Sequence, residues 1–485
     1  MNKRNAFAAA VRAELRQIRA ESAPKLAAAL TLAALLYALF SGLSFSSSRA
    51  QSAAALKLSE AGKRAAQQEQ AQQIAEAKMP VPDRPYRDPG NTIFVGSSAA
   101  ELAELPQLPL SFLAAGESDL HPAAVPVSAK GKESFLFDDE ISNPTQLLTG
   151  LFDPAFMLAV LLPLFILALC YNIISGEREQ GTLSLNAASP VPLRVIMSAK
   201  LLVRAGLPTM TAVLALFGAT LLAAPAAVGQ ALLLAAAVLL YGLFWGAVAL
   251  AVNGFGFDST GNALIISVLW ICSVFIVPAF IDASVELTHP APTRSVMVLA
   301  VRNSAVQADA KLDAAQAQFE LEHAGTGHTH DDGLLRGTAQ EKNYRRLLNV
   351  KAAQSVGDSI YAEQQQVLAH RRKLADRLRF LSPAMVMQDI IAELSGNGSV
   401  RFAAFMKQLD QFHEQWRSFF ITRAEQGLRL NGKDYEQFPR FQYQETAARE
   451  TSVRVRAGLF ATLLFLAAAA VAAKALLNRF RLSGR

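Results

Sequence analysis

Three of the seven histidines fall close together in "EHAGTGHTHDD": His323, His328 and His330, with Asp331 and Asp332 directly behind. Imidazoles and carboxylates at this spacing can bind zinc, copper or nickel. Gly325 and Gly327 work against a rigid ligand set, because glycine loosens the chain. A flexible tip between two helices, its polar groups solvated, is the simpler reading. The nearest phosphate-loop match, "GLRLNGKD" (Gly427–Asp434), ends in Asp where Ser or Thr should hold magnesium. No Ser/His/Asp set has the spacing of a nucleophile elbow. Asp119 and His121 in "GESDLHP" are the remaining candidates for chemistry, and a capped turn accounts for them equally well. The chain therefore reads as non-catalytic, with no cofactor of its own.

A different stretch carries charge where charge is unexpected. Greasy sequence ending at Ser175 gives way to "GEREQGTL", which is Gly176, Glu177, Arg178, Glu179, Gln180, Gly181, Thr182 and Leu183, and greasy sequence then resumes. Carboxylates near a helix start suit its dipole and can pair with Arg or Lys across an interface. Gly181 permits a tight bend. The alternative is a loop whose acids are merely solvated.

The elements that hold this turn are membrane helices. Of 485 residues, 52% are hydrophobic and 18% charged, against nearer a quarter charged in soluble domains. Uncharged runs cover 26–45, 156–175, 262–281 and 457–473, and no charge at all lies between Arg204 and Asp258. As one helix that last run would be about 80 Å long, against a hydrocarbon core of about 30 Å. It must fold back, and "AAPAAVGQ" supplies the Pro and Gly, giving spans at 206–224 and 231–253. The fold class expected is all-α: a polytopic membrane protein with six transmembrane helices. Asn253 and Asn262 are polar positions near span ends, and Pro208 and Pro278 are positioned to kink theirs.

Charge then sets the orientation, since short basic loops stay cytoplasmic. Residues 1–25 carry Lys3, Arg4, Arg12, Arg16, Arg19 and Lys25; 176–205 carry Arg178, Arg194, Lys200 and Arg204; 474–485 carry Lys474, Arg479, Arg481 and Arg485. With six spans these three segments share a side. Both termini and the 176–205 loop are expected in the cytoplasm, and the 1–25 segment has the pattern of an amphipathic helix on the membrane surface. Arg454 and Arg456, just before the last span, are the exceptions. Two insertions, 46–155 and 282–456, then lie outside and form a largely helical extracytoplasmic domain. Neither holds a cysteine, so no disulfide framework supports them. Basic charge belongs mainly to the cytoplasmic face, and no basic patch with interleaved aromatics appears, so nucleic acid is not an expected partner.

Within the second insertion, "LSPAMVMQDIIAELSGNG" reads as a helix capped by Ser382, with Pro383 at its first position and a stop at Gly396. Phe402, Phe405, Leu409, Phe412, Trp416 and Phe419 then recur at three and four, a seam for packing against helices expected near 298–322 and 338–380.

"SGEREQGTL" after a span, followed by "SPVPLRVIMSAKLLVR", resembles the first cytoplasmic loop of type-2 ABC transporter permeases. "FLAAGESDLHPAAVPVS", "NPTQLLTGLFDPAF" and "LSPAMVMQDIIAELSGNGSVRFAAF" are similar to the subgroup with large extracytoplasmic insertions, which carries a domain of unknown function and is related to the permease of nitrous oxide reductase maturation. The resemblance covers nearly the whole chain. It implies a coupling helix that docks on a separate cytoplasmic ABC ATPase, with Glu177, Arg178, Glu179, Gly181, Thr182, Leu183, Pro190 and Arg194 as the coupling residues and ATP and magnesium bound by that partner. It also implies a second permease subunit, identical or related, in a bacterial inner membrane, with a periplasmic or outer-membrane partner or cargo in reach of the outer domain. Similar proteins read "AGTD" where this chain has Ser395-Gly396-Asn397-Gly398. Two other functions remain in view: an ATPase-driven metal-handling or metalloenzyme-maturation factor using the histidines, and a membrane-anchored periplasmic sensor or hydrolase with no ATPase.

Overall fold

In the computed structural model, the structure describes residues 3–130, 151–189, 191–290 and 339–479, with isolated positions between 296 and 310. Among these, six helices are long and apolar enough to cross a membrane: Ser22–Ala75, Pro154–Glu179, Leu193–Ala223, Pro225–Asn253, Ser259–Thr288 and Ala448–Asn478. The chain is an all-α, multi-pass membrane protein. One end of its helical bundle carries the 176–189 turn (the loop end), and the other carries a folded module (the module end).

Helix α1 (Lys3–Ala20) packs on the loop end. Helix α2 (Ser22–Ala75) runs 54 residues without a break, about 80 Å at 1.5 Å per residue. Its first half is apolar, and its second half is the mast of the module. Gly42 marks the changeover: a Cβ there would sit 2.0 Å from the Phe112 carbonyl oxygen, so only glycine lets the 110–115 segment close on the helix. Higher up, Arg49 donates to the carbonyls of Ser118, His121 and Pro122, and Arg64 to the Ala100 carbonyl and the Glu101 carboxylate.

Helix α4 (Pro154–Glu179) follows α3 (Thr92–Ser98) and is irregular twice. Asp153 caps its start, accepting from the Phe156 amide at 2.8 Å. A π turn at Met157–Leu161 precedes Pro163, which has no N–H to offer the Ala159 carbonyl one turn earlier. In the apolar interior that carbonyl needs a donor, and the Tyr241 hydroxyl supplies it at 2.8 Å. The Trp270 indole serves Val160 in the same way at 3.1 Å. The second irregularity, turns at 171–174, is spliced by Asn253. Its amide nitrogen donates to the carbonyls of Cys170 and Ala249, while its oxygen accepts from the Ile174 amide.

After the short α5 (Leu183–Ala188), α6 (Leu193–Ala223) and α7 (Val228–Asn253) form a close pair. A Cβ on Gly242 would meet the Thr209 hydroxyl at 2.3 Å, the small-residue contact that lets membrane helices approach. Helix α8 (Ser259–Thr288) repeats the device of α4, with a π turn at Cys272–Ile276 just before Pro278.

The module is built from both insertions. Its core joins α3, the upper half of α2 and α11 (Ser399–Glu425) to a two-stranded ribbon, β1 (Glu101–Ala103) antiparallel to β2 (Val125–Val127). The aromatic stripe of α11 is this core: Phe405, Leu409, Phe412, Trp416 and Phe420 are buried. Phe402 and Phe419 pack partly buried against it, and Phe420, four residues after Trp416 on the same face, joins them. Of the two expected partner helices, 298–322 lies mostly outside the described residues. The other, α9 (Ala339–Leu378), lies along the stripe's flank with the Arg417–Asp358 ion pair at 2.8 Å, and Val95, Val127, Leu430, Tyr435 and Phe438 complete the surround.

Helix α10 (Pro383–Ser395) has the cap and stop read from the sequence: Ser382 accepts from the Met385 amide, and Gly396 has φ +79°. Its apolar face does not join the module core. Met387, Ile390 and Ile391 belong to the core of the membrane bundle, against α7 and α12 (Ala448–Arg479). The Ser382 hydroxyl also donates to the Ser273 carbonyl in the π turn of α8, at 2.7 Å.

Candidate functional site

The 176–183 turn is the best-formed candidate, and its charges point inward. Glu177 pairs with Lys200 on α6 and accepts from the Asn186 amide at 2.9 Å. Lys200 also lies 3.5 Å from Glu14 of α1, which accepts from Arg204 at 2.6 Å. Glu14 is 2% exposed, so α1 is fastened to α6 by a buried ion-pair network and does more than lie along a membrane surface. Arg178 donates to the carbonyls of Gly256 (2.6 Å) and Phe257 (2.8 Å). Glu179 accepts from the backbone amide of Ser259 at 2.7 Å and from its hydroxyl at 2.8 Å, capping α8 with a full negative charge. Glu177 and Glu179, expected to pair across an interface, here take their partners from α6, α5 and the start of α8. Both have partners within the chain, and Arg178 and Glu179 lock the 176–183 turn to the 254–259 turn.

The remaining expected residues divide by role. Gly181 has φ +74° with open space around it, and Thr182 closes the bend by donating to the Glu177 carbonyl through its amide. Leu183 is buried as an anchor. Arg194 is exposed at the start of α6, and Pro190 lies outside the described residues. What the locked turns present outward is apolar: Leu185 is 73% exposed, Phe255 59% and Phe257 48%. The Phe255 and Phe257 rings sit 6.1 Å apart. Sequence reading missed these two aromatics, although "FGF" in a short connection between spans was the available signal.

A second cluster lies at the module end, where α9, α10 and α12 meet. Arg454 of α12 holds Asp389 of α10 through Nη2 and Nε, both near 2.7–2.8 Å, and Asp376 of α9 at 2.7 Å. Arg379 adds a contact to Asp389 at 2.9 Å. Glu393, one turn beyond Asp389, is 3.5 Å from Arg454 and accepts from the Val400 amide and the Thr451 hydroxyl. Three carboxylates thus face two guanidiniums. Burial, and then the Asp389 charge, push the Glu393 carboxyl up to about 7, with Arg454 opposing. This network gives Arg454, the exception to the expected charge pattern, its partners within the chain. It also bears on "SGNG": a Cβ on Gly398 would lie 2.4 Å from the Glu393 carboxyl carbon. Glu393 here fills the space that an acidic side chain at 398 would enter. Asn397 meanwhile donates to the Ser111 and Ala114 carbonyls and accepts from Ser118, tying the first insertion to the second.

The other expected positions are not brought into either cluster. Asp119 ends a short 3-10 turn, Gly116–Asp119, and the His121 ring stacks on Phe402 with centroids 4.1 Å apart. His323, His328 and His330 lie outside the described residues. Among the described residues, no group of three or more His, Cys, Asp or Glu is placed to hold a metal.

No curated protein matches the chain, and no solved structure does. Residues 295–444, which span all of α9, α10 and α11 and the extended segment after them, match the family model described as "Domain of unknown function (DUF3526)".

Proposed function

We propose that this chain is the membrane subunit of a type-2 ABC transporter, driven by a separate ATPase that docks at the loop end. The observation that carries the reading is the pair of turns locked by Arg178 and Glu179, which offer Leu185, Phe255 and Phe257 to solvent. A rigid apolar knob at the end of a helical bundle suits a partner that must push rather than merely bind. The resemblance of "SGEREQGTL…SPVPLR" to a coupling loop supports the same assignment. In this reading the loop end is cytoplasmic, the module is periplasmic, and ATP and magnesium belong to the partner. A second permease subunit, a copy or a relative, completes the assembly.

The stroke has a mechanical route in this reading. Arg178 and Glu179 couple α4 to α8, and both helices are irregular at π turns. The π turn of α8 is bonded to Ser382 at the head of α10, and α10 is bonded through Asp389 to Arg454. Motion at the loop end would thereby reach the module, which supports mechanical work on an extracytoplasmic partner or export of a cargo.

Co-purification from mild detergent, with an ATPase assay of the eluate, tests this. Wild type is expected to bring down an ATP-hydrolysing subunit, and Leu185→Asp and Phe257→Asp to lose it while remaining folded. If no ATPase accompanies wild type, the reading fails. If Phe257→Asp keeps the ATPase but inserts poorly, the aromatics are bilayer anchors.

A further inference from the structure

A cavity at the module end belongs to neither cluster described above. It has a volume of 310 Å³ and lies between α9, α11 and the 118–125 segment, a size suited to a small molecule. Its floor is apolar and comes from one face of α11: Phe402, Phe405, Met406 and Leu409. The stacked His121 ring forms one wall against Phe402. Arg372 of α9 stands at the rim. None of the described lining residues is acidic, and no carboxylate pairs with Arg372 among the described residues. An exposed arginine beside an apolar floor can receive an anion with an apolar body.

The height of the cavity narrows the choice. Arg49, which also lines it, lies four residues beyond Phe45, the end of the first uncharged run. That is about 6 Å along the helix, so the cavity opens just above the apolar zone. We propose that this cavity binds a single-chain organic acid, its carboxylate at Arg372 and its alkyl chain along Phe402, Phe405 and Met406. The site would place an amphipathic anion against the module at the level of the membrane surface. It does not depend on an ATPase docking at the opposite end.

Hydrogen exchange by mass spectrometry on the full chain in phosphatidylcholine nanodiscs tests this, with decanoate and decylamine as probes. These discs contain no anionic lipid to compete. Decanoate is expected to slow exchange in 118–125 and 361–372 saturably, and decylamine is expected not to. Arg372→Gln should raise the half-saturating decanoate concentration about tenfold. Met406→Trp, which fills the cavity, should abolish the protection while exchange in α10 stays as in wild type. Equal protection by both probes would overturn the proposal. So would decanoate protection that survives both substitutions.

Discussion

The loop end and the module junction use the same residues for opposite purposes. Each sets carboxylates against arginine or lysine between helices. At the loop end, Glu177, Arg178 and Glu179 spend their hydrogen bonds on the chain's own backbone and on Lys200, and the surface beyond them is left to exposed apolar side chains. At the junction, Glu393 is almost wholly buried, and Asp389 and Arg454 lie partly buried beside it between α10 and α12. Charge is a brace in both places, but one brace shapes a surface and the other welds two parts together. The cost of removing a brace should follow how completely water is excluded from the partner left behind.

That contrast can be broken by experiment, and the largest expected effect is at the junction. Arg454→Ala leaves Asp389 and Glu393 facing each other with only Arg379 nearby, and should cost about 3 kcal/mol. The check is thermal unfolding in detergent, read beside Arg454→Lys, which should recover part of the loss. If Arg454→Ala melts with wild type, the junction is not a weld.

Protonation comes next. Glu393 titrates near 7 in the folded protein, above its unfolded value, so the folded state holds the extra proton between the two. Its contribution is fully present below about pH 4.5 and is lost as pH rises through about 7, on the order of 3 kcal/mol in total. Melting temperature measured across that window should fall more steeply with rising pH in wild type than in Glu393→Gln. Parallel curves would remove Glu393 from the account.

The loop-end effects should be smaller in stability and larger in partner capture. Lys200→Met leaves Glu177 with Asn186 alone, and about 1.5 kcal/mol is expected. Glu179→Gln keeps an acceptor for Ser259 but loses the charge on the α8 dipole, a change of about 0.5 kcal/mol. Both should weaken ATPase co-purification by more than their melting shifts suggest, because they loosen the turns that carry Leu185 and Phe257. A loop-end variant that lost stability as severely as Arg454→Ala would erase the distinction between the two ends.

Much of this architecture was legible in the residue order, because single helices and their ends are local events. Uncharged runs of about twenty residues mark spans wherever a bilayer must be crossed. Ser382, Pro383 and Gly396 bound α10 through hydrogen bonds to neighbouring amides and through backbone φ. The three-and-four periodicity of α11 gave its core side, with Phe420 joining Phe419 there by the four-residue repeat. Even "GEREQGTL" announced a tight charged bend between spans.

What those helices touch was decided only in three dimensions. The seam of α11 could not name Val95, Leu430 or Phe438 as its partners, since apolar surface is not selective. Glu177 and Glu179 have the composition of an outward handle, yet the approach of Lys200 and Ser259 turned them inward. Arg454 looked like an error of topology until Asp389 and Glu393, more than sixty residues earlier, arrived beside it. Local hydrogen bonding and periodicity are written in the order of residues. The partners of a buried charge or an apolar face depend on which distant segments share its space, and packing settles that.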